Sequence, residues 1–131
     1  KTCSADIPGR GLFYSFDEFC AWRFERPVYR PAGVIVAISD DRWIGFSIGT
    51  YHEAGNFVFN QMTGVIRDYR GRGLAIALKL LVTRFAQSTS ADRILTFNDS
   101  ENHAMLSVNQ RLGYQRTNTA HWVERPIGAT N

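Results

Sequence analysis

Residues 63–75 constrain this chain more than any other stretch. The strand-like run Thr63-Gly64-Val65-Ile66 enters an arginine- and glycine-rich turn, Arg67-Asp68-Tyr69-Arg70-Gly71-Arg72-Gly73, which opens directly into a helix at Leu74-Ala75. That helix is signalled by Leu74, Leu78, Leu81, Val82 and Phe85, whose spacing gives one apolar face turned to a core. A helix starting in this way presents unpaired backbone N–H groups and the positive end of its dipole, and both favour an anion such as phosphate. Gly71 and Gly73 let such an anion reach the backbone without meeting a Cβ, while Arg67, Arg70 and Arg72 add charged donors. Two other phosphate loops are excluded: the chain has no Gly-x-x-x-x-Gly-Lys-Ser/Thr, and no triple-glycine run with an acidic residue about twenty positions on.

The remaining elements follow from periodicity and turn chemistry. Ser15-Phe16-Asp17-Glu18 reads as a capping box, and Phe16, Phe19, Cys20 and Phe24 give a first helix one apolar face before Pro27 and Pro31 end it. Strands are expected over 34–38, 43–51 and 56–66, with turns at Asp40-Asp41 and over 53–56; Gly64 permits a bulge or a close backbone contact in the third strand. A long helix over 74–87, a strand over 93–98, a helix over 102–112 capped by Gly113 and a strand over 117–124 complete the order. Residues 1–14 read as an irregular lead-in, and 126–131 as a frayed tail. The three tryptophans, Trp22, Trp43 and Trp122, and the nine phenylalanines are expected in the core.

Three neighbouring strands joined by short turns are most simply antiparallel. The helix over 74–87 then crosses over to a fourth, parallel strand with the right-handed sense such connections take. The expected fold is one α/β domain over 1–131, with a mixed, mostly antiparallel sheet flanked by helices. No strand is recognisable before Ser15 and the chain starts at Lys1, so the sequence reads either as the C-terminal lobe of a longer two-lobed chain or as a trimmed single domain. An open sheet edge on that side is expected to be covered, by a second copy of the chain as a homodimer or by another lobe.

Composition narrows the partners. With 131 residues, 44% of them hydrophobic, the chain can bury one core without staples. A net charge of +3 without a continuous basic tract makes nucleic acid a weak expectation; a small polyanion accounts for the clustered arginines. Cys3 and Cys20 are too isolated for a disulfide framework or a metal site, which points to free thiols in a reducing, cytoplasmic setting and to no bound metal. No apolar segment approaches the roughly 20 residues that span a bilayer, so no membrane partner is expected.

The run Arg70-Gly71-Arg72-Gly73-Leu74-Ala75 resembles the Arg/Gln-x-x-Gly-x-Gly/Ala signature of the GNAT family of N-acetyltransferases. A second family pattern follows in register: Thr96-Phe97-Asn98 as a strand end, then Asn102 to Tyr114 as a helix closing on Leu112-Gly113-Tyr114. The resemblance covers roughly residue 33 to the C-terminus. It implies that acetyl-coenzyme A is the cosubstrate, with its pyrophosphate on the turn at Arg67, Arg70, Gly71, Arg72, Gly73, Leu74 and Ala75. It further implies that the strand near Val65 bonds the pantetheine arm through its backbone, and that two parallel strands splay apart to admit that arm. Asn98, Asn102 and Asn109 form a second constellation. Asn102 and Asn109 share one helical stripe with Met105, and capping explains Asn102 as well as cofactor contact does.

The implied reaction is acetyl transfer to a primary amine of a small molecule or peptide. The chain departs from the family at Asn109, where many members carry a tyrosine whose hydroxyl protonates the departing thiolate. An amide cannot give up a proton as a phenol can, although it can hydrogen-bond the sulfur or the thioester. For the base that takes the amine's proton, His52 and Glu53 are the candidates, with His103, His121, Asp99 and Glu101 behind them. Two rival readings remain: a lobe that binds acyl-coenzyme A without turnover, as scaffold or sensor, and a nucleic-acid-binding domain using Arg67, Arg70, Arg72, Arg111 and Arg116, which ranks lower.

Overall fold

A computed structural model describes residues 15–117, 119 and 120. Its main elements are helix α1 (Phe16–Arg23), strands β1 (Val34–Ser39), β2 (Arg42–His52) and β3 (Phe57–Val65), helix α2 (Leu74–Ser88), strand β4 (Arg93–Thr96) and helix α3 (His103–Arg111). The sheet runs in the order β1-β2-β3-β4, antiparallel for the first two pairs and parallel for the last. This is the mixed α/β fold expected from the sequence. Asp40 and Asp41, both with positive φ, close the β1–β2 hairpin as a two-residue turn between the paired Ser39 and Arg42. Such a turn matches the right-handed twist of the strands it joins, and aspartate tolerates the left-handed conformation.

The crossover helix α2 lies on one face of the sheet, where Val82, Phe85 and Ala86 pack on Val58 with Ile35, Tyr51 and Ile94 around them. Gly49 lets the helix sit this close, since a Cβ there would come within 2.7 Å of a Val82 methyl. Two bulges shape the sheet. Ile44 is the extra residue of β2 opposite Ala37 and Ile38, and Gln61 is the extra residue of β3 opposite Ile48 and Gly49. The bulge in β3 thus falls at Gln61, while Gly64 pairs regularly with Phe46.

Several sequence expectations are corrected. Trp43 is 72% exposed beside the β1–β2 turn, paired across the strands with an exposed Ile38, and Trp22 is exposed as well, so neither belongs to the core. The α1 capping box forms, with Ser15 N–H donating to Glu18 and Glu18 N–H to Ser15 Oγ, but Phe16 and Phe24 of its apolar face are exposed. On α2 the buried stripe is Leu78, Lys79, Val82, Phe85 and Ala86, whereas Leu81 is exposed. Strand β4 stops at Thr96 rather than at 98, where its pairing with β3 ends. The strand expected over 117–124 lies for the most part outside the described residues, as do the segments 1–14 and 126–131.

Candidate functional site

Beyond Val65 the chain makes a single 3₁₀ turn over Arg67–Tyr69 and reaches α2 through two glycines with positive φ, Gly71 at +72° and Gly73 at +79°. Gly73 is the N-cap of α2. It has no side chain to satisfy the first N–H groups, and no acidic residue stands in the first turn. A Cβ at either glycine would meet nothing within 4 Å, so the helix start is open to an approaching group. Arg70 folds back, its Nε donating to the Val65 carbonyl at 2.8 Å, and the Arg72 guanidinium lies 5.0 Å from the Tyr69 ring centre. Both contacts stiffen the turn and keep positive charge beside the helix N-terminus.

The parallel strands part next to this turn. Pairing of β3 with β4 runs from Phe57 and Arg93 to Asn60 and Thr96 and then ends, while β3 continues to Val65 against β2 alone. Along an antiparallel ladder the N–H and C=O groups not bonded to one neighbour point to the other side. Over 61–65 that side is the gap β4 has left, so the edge carries backbone groups for an extended ligand. Beyond β4, the Asn109 amide of α3 donates to Asn98 Oδ1 at 2.6 Å. Asn109 is only 7% exposed, and its Oδ1 has no partner among the described residues. A buried acceptor left unbonded costs about 1–3 kcal/mol, so a donor supplied by a ligand would be strongly favoured there.

A buried polar cluster sits under α2 at the point of parting. Lys79, 1% exposed, donates to Asn60 Oδ1, and its ammonium lies 5.1 Å from the Tyr114 ring centre. Asn60 Nδ2 donates to Ser47 Oγ and to the Ile48 carbonyl, both at 3.0 Å, and Ser47 Oγ also bonds Thr63 Oγ1 at 2.7 Å. Burial pulls the Lys79 ammonium from 10.5 down to about 8 and pushes the Tyr114 phenol up. The unfolded chain holds the Lys79 proton to higher pH than the folded chain does. Stability is therefore lowest with respect to this group below about pH 8 and rises as pH climbs towards 10.5. Urea denaturation across that range should show the rise in the wild type and not in Lys79→Met. Sequence reading passed Lys79 over, although its offsets from Ala75, Val82 and Ala86 place it on the inward stripe.

The other expected site residues are placed as follows. Leu74 and Ala75 form the first residues of α2, Arg67 is exposed in the 3₁₀ turn, and Val65 is buried with its backbone paired to Gly45. Asn102 caps α3, its Oδ1 accepting from the Met105 N–H at 3.2 Å. His52 and Glu53 lie at the connection of β2 to β3, beside the first residue of β3. His52 pairs with Phe57, roughly 26 Å from Val65 but only about 10 Å from Asn60 at the usual strand rise. There the His52 ring stacks on Phe57 and bonds Thr50 Oγ1 at 3.0 Å. Among the described residues no group of three or more His, Cys, Asp or Glu could hold a metal ion, and no helix is long and apolar enough to cross a membrane.

The sequence profile of the acetyltransferase (GNAT) family matches residues 5–114, which is most of the chain. The chain belongs to the GNAT family. A mycothiol acetyltransferase of Streptomyces coelicolor is 28% identical over 92 residues, covering 70% of this chain but only 30% of that protein. The chain thus spans under a third of the length of the curated relative it matches. Solved structures share the fold. AAC(6')-Iy, in complex with a bisubstrate analogue of coenzyme A and acetylneamine, superposes with a TM-score of 0.71 at 20% identity, covering 95% of this chain and 86% of that one. A transcriptional regulator from Bacillus halodurans superposes with a TM-score of 0.76 at 14% identity, over 95% and 89% of the two chains.

Proposed function

We propose that this chain is the acetyl-coenzyme A-binding domain of an N-acetyltransferase that acts on a primary amine of a small molecule or peptide. The observation that carries the reading is the conjunction, in a GNAT chain, of an uncapped Gly-Arg-Gly helix start with the parting of β3 and β4 beside it. The pyrophosphate sits on the N–H groups of residues 71–75, next to Arg70 and Arg72, and the pantetheine arm runs along the open edge of β3 over 61–65. A backbone N–H of that edge polarises the thioester carbonyl and steadies the oxyanion of the tetrahedral intermediate. The amine nitrogen forms the new C–N bond, the C–S bond breaks, and the amine's proton leaves to a base reached through the open cleft. The complex of AAC(6')-Iy with its bisubstrate analogue supports a coenzyme and an amine meeting on this fold.

Asn109 takes the place where many family members carry a proton-donating tyrosine. In this reading it orients the thioester or the leaving thiol through its amide, without giving up a proton. Free-thiol release from acetyl-coenzyme A, measured with spermidine, an aminoglycoside and an alanyl peptide as acceptors, tests both points. The wild type should turn over with at least one amine. Asn109→Ala should lower kcat about tenfold or more while coenzyme affinity changes less, the pattern of an interaction made chiefly in the transition state. Unchanged kinetics in Asn109→Ala would reduce the residue to a structural part of α3. The asparagine at this position also favours a second reading, a lobe that binds acyl-coenzyme A without turnover. Coenzyme binding with no thiol release from any acceptor would support that one.

A further inference from the structure

The Lys79–Asn60 pair does more than fill the interior beneath α2. In the stretch where Gln61 is inserted into β3, the backbone ladder to β2 breaks between Ile48 and Gly49. The Asn60 side chain crosses that break, donating to the Ile48 carbonyl and to Ser47 Oγ. Its remaining polar atom, Oδ1, is taken by Lys79 from above, with Thr63 Oγ1 at 3.4 Å on the same atom. Asn60 is also the last residue of β3 paired with β4, and its carbonyl accepts from Thr96 Oγ1 at 3.1 Å. One side chain therefore spans the bulge, while its own backbone marks where the two strands separate. Lys79 holds the Oδ1 end of that side chain.

We infer that Lys79 is a positioning residue for acyl transfer: by holding Asn60 across the bulge, it sets the path of β3 over 61–65 and so the placement of the backbone donors that meet the thioester. The inference rests on the acetyltransferase reading above. Burying an ammonium carries a desolvation cost that methionine would not, although methionine would leave buried Asn60 Oδ1 with Thr63 Oγ1 alone. A lysine rather than an apolar residue at this position fits a requirement for geometry at the bulge. Tyr114, whose ring faces the ammonium, closes the site from the segment after α3, and its own N–H is bonded to the Asn109 carbonyl at 3.0 Å. The lysine site thus adjoins both β3 and the Asn109 segment.

The test is a split between binding and turnover in Lys79→Met, using thiol release with the best amine of the acceptor panel and calorimetry with coenzyme A. The proposal expects a folded protein with coenzyme affinity within about threefold of wild type and a kcat at least tenfold lower. Lys79→Cys, aminoethylated in denaturant and refolded beside an identically treated wild type, rebuilds a lysine-like ammonium and should recover most of the lost kcat. Asn60→Ala removes the acceptor from the other side and should reproduce the loss, which keeps the question decidable if Lys79→Met does not fold. Turnover within twofold of wild type in Lys79→Met or Asn60→Ala overturns the proposal and leaves the acetyltransferase reading standing. A wild-type chain that acetylates no amine of the panel removes that reading, and this inference falls with it.

Discussion

Gly73→Asp should abolish the thermal stabilisation that coenzyme A is expected to confer on the wild-type chain. A ligand present at a hundred times its Kd contributes about 2.7 kcal/mol, which for a domain of this size raises Tm by about 10 °C. Aspartate at this position adds a side chain and a negative charge where the pyrophosphate is expected to lie, so repulsion and occupied space act together. The unliganded variant should still fold, because a Cβ at Gly73 meets no atom within 4 Å. Its own Tm should fall by a few degrees, since a non-glycine residue at φ +79° carries about 1–2 kcal/mol of strain. The relevant quantity is the shift between liganded and unliganded samples of the same variant, read by calorimetry. A wild-type-sized shift in Gly73→Asp places the phosphates elsewhere.

Gly49→Val should destabilise the fold by about 3 kcal/mol through overpacking. A Cβ at this site would lie 2.7 Å from a Val82 methyl and 3.1 Å from a Val58 methyl, and both of those residues have no solvent exposure. Valine adds two further methyl groups to a space that does not hold the first. The helix must lift from the sheet or the strand must shift, and either change reaches β3 through the Gly49–Asn60 pair. A urea midpoint unchanged from wild type would mean that α2 rests on the sheet more loosely than the contacts indicate. Together the two glycine variants separate roles, since the first removes ligand response with little loss of stability and the second lowers stability itself.

Much of this architecture was legible in the sequence because local signals agreed with one another. The Gly71-Arg72-Gly73 turn, the apolar stripe that follows it and the alternation in β3 each name an element and its neighbour, and the crossover then admits one hand. The Ser15 capping box is local chemistry and forms as read. What was not legible depends on tertiary placement. The bulge sits at Gln61 with Asn60 bridging the gap beside it, a partnership between strands that no single stretch displays. Lys79 reads as a charge on an amphipathic helix until Asn60 and Tyr114 are seen around it. Trp43 looks like a core residue by type, yet it lies next to a two-residue turn, where the hairpin extends past the layer that α2 covers. His52 and Glu53 lie at the far end of β3 from the helix start, and the link from His52 through Thr50 to Gln61 depends on strand pairing that composition and spacing do not encode.

Titration of the ¹⁵N-labelled chain with coenzyme A, followed by amide chemical shifts, tests the central claim most directly. The account predicts saturable one-to-one binding in which the largest shifts fall on residues 71–75 and a second set follows the β3 edge over 61–65, with the 57–60 segment, already paired to β4, little changed. Shifts that fail to saturate, or whose maxima lie away from the start of α2, would contradict it.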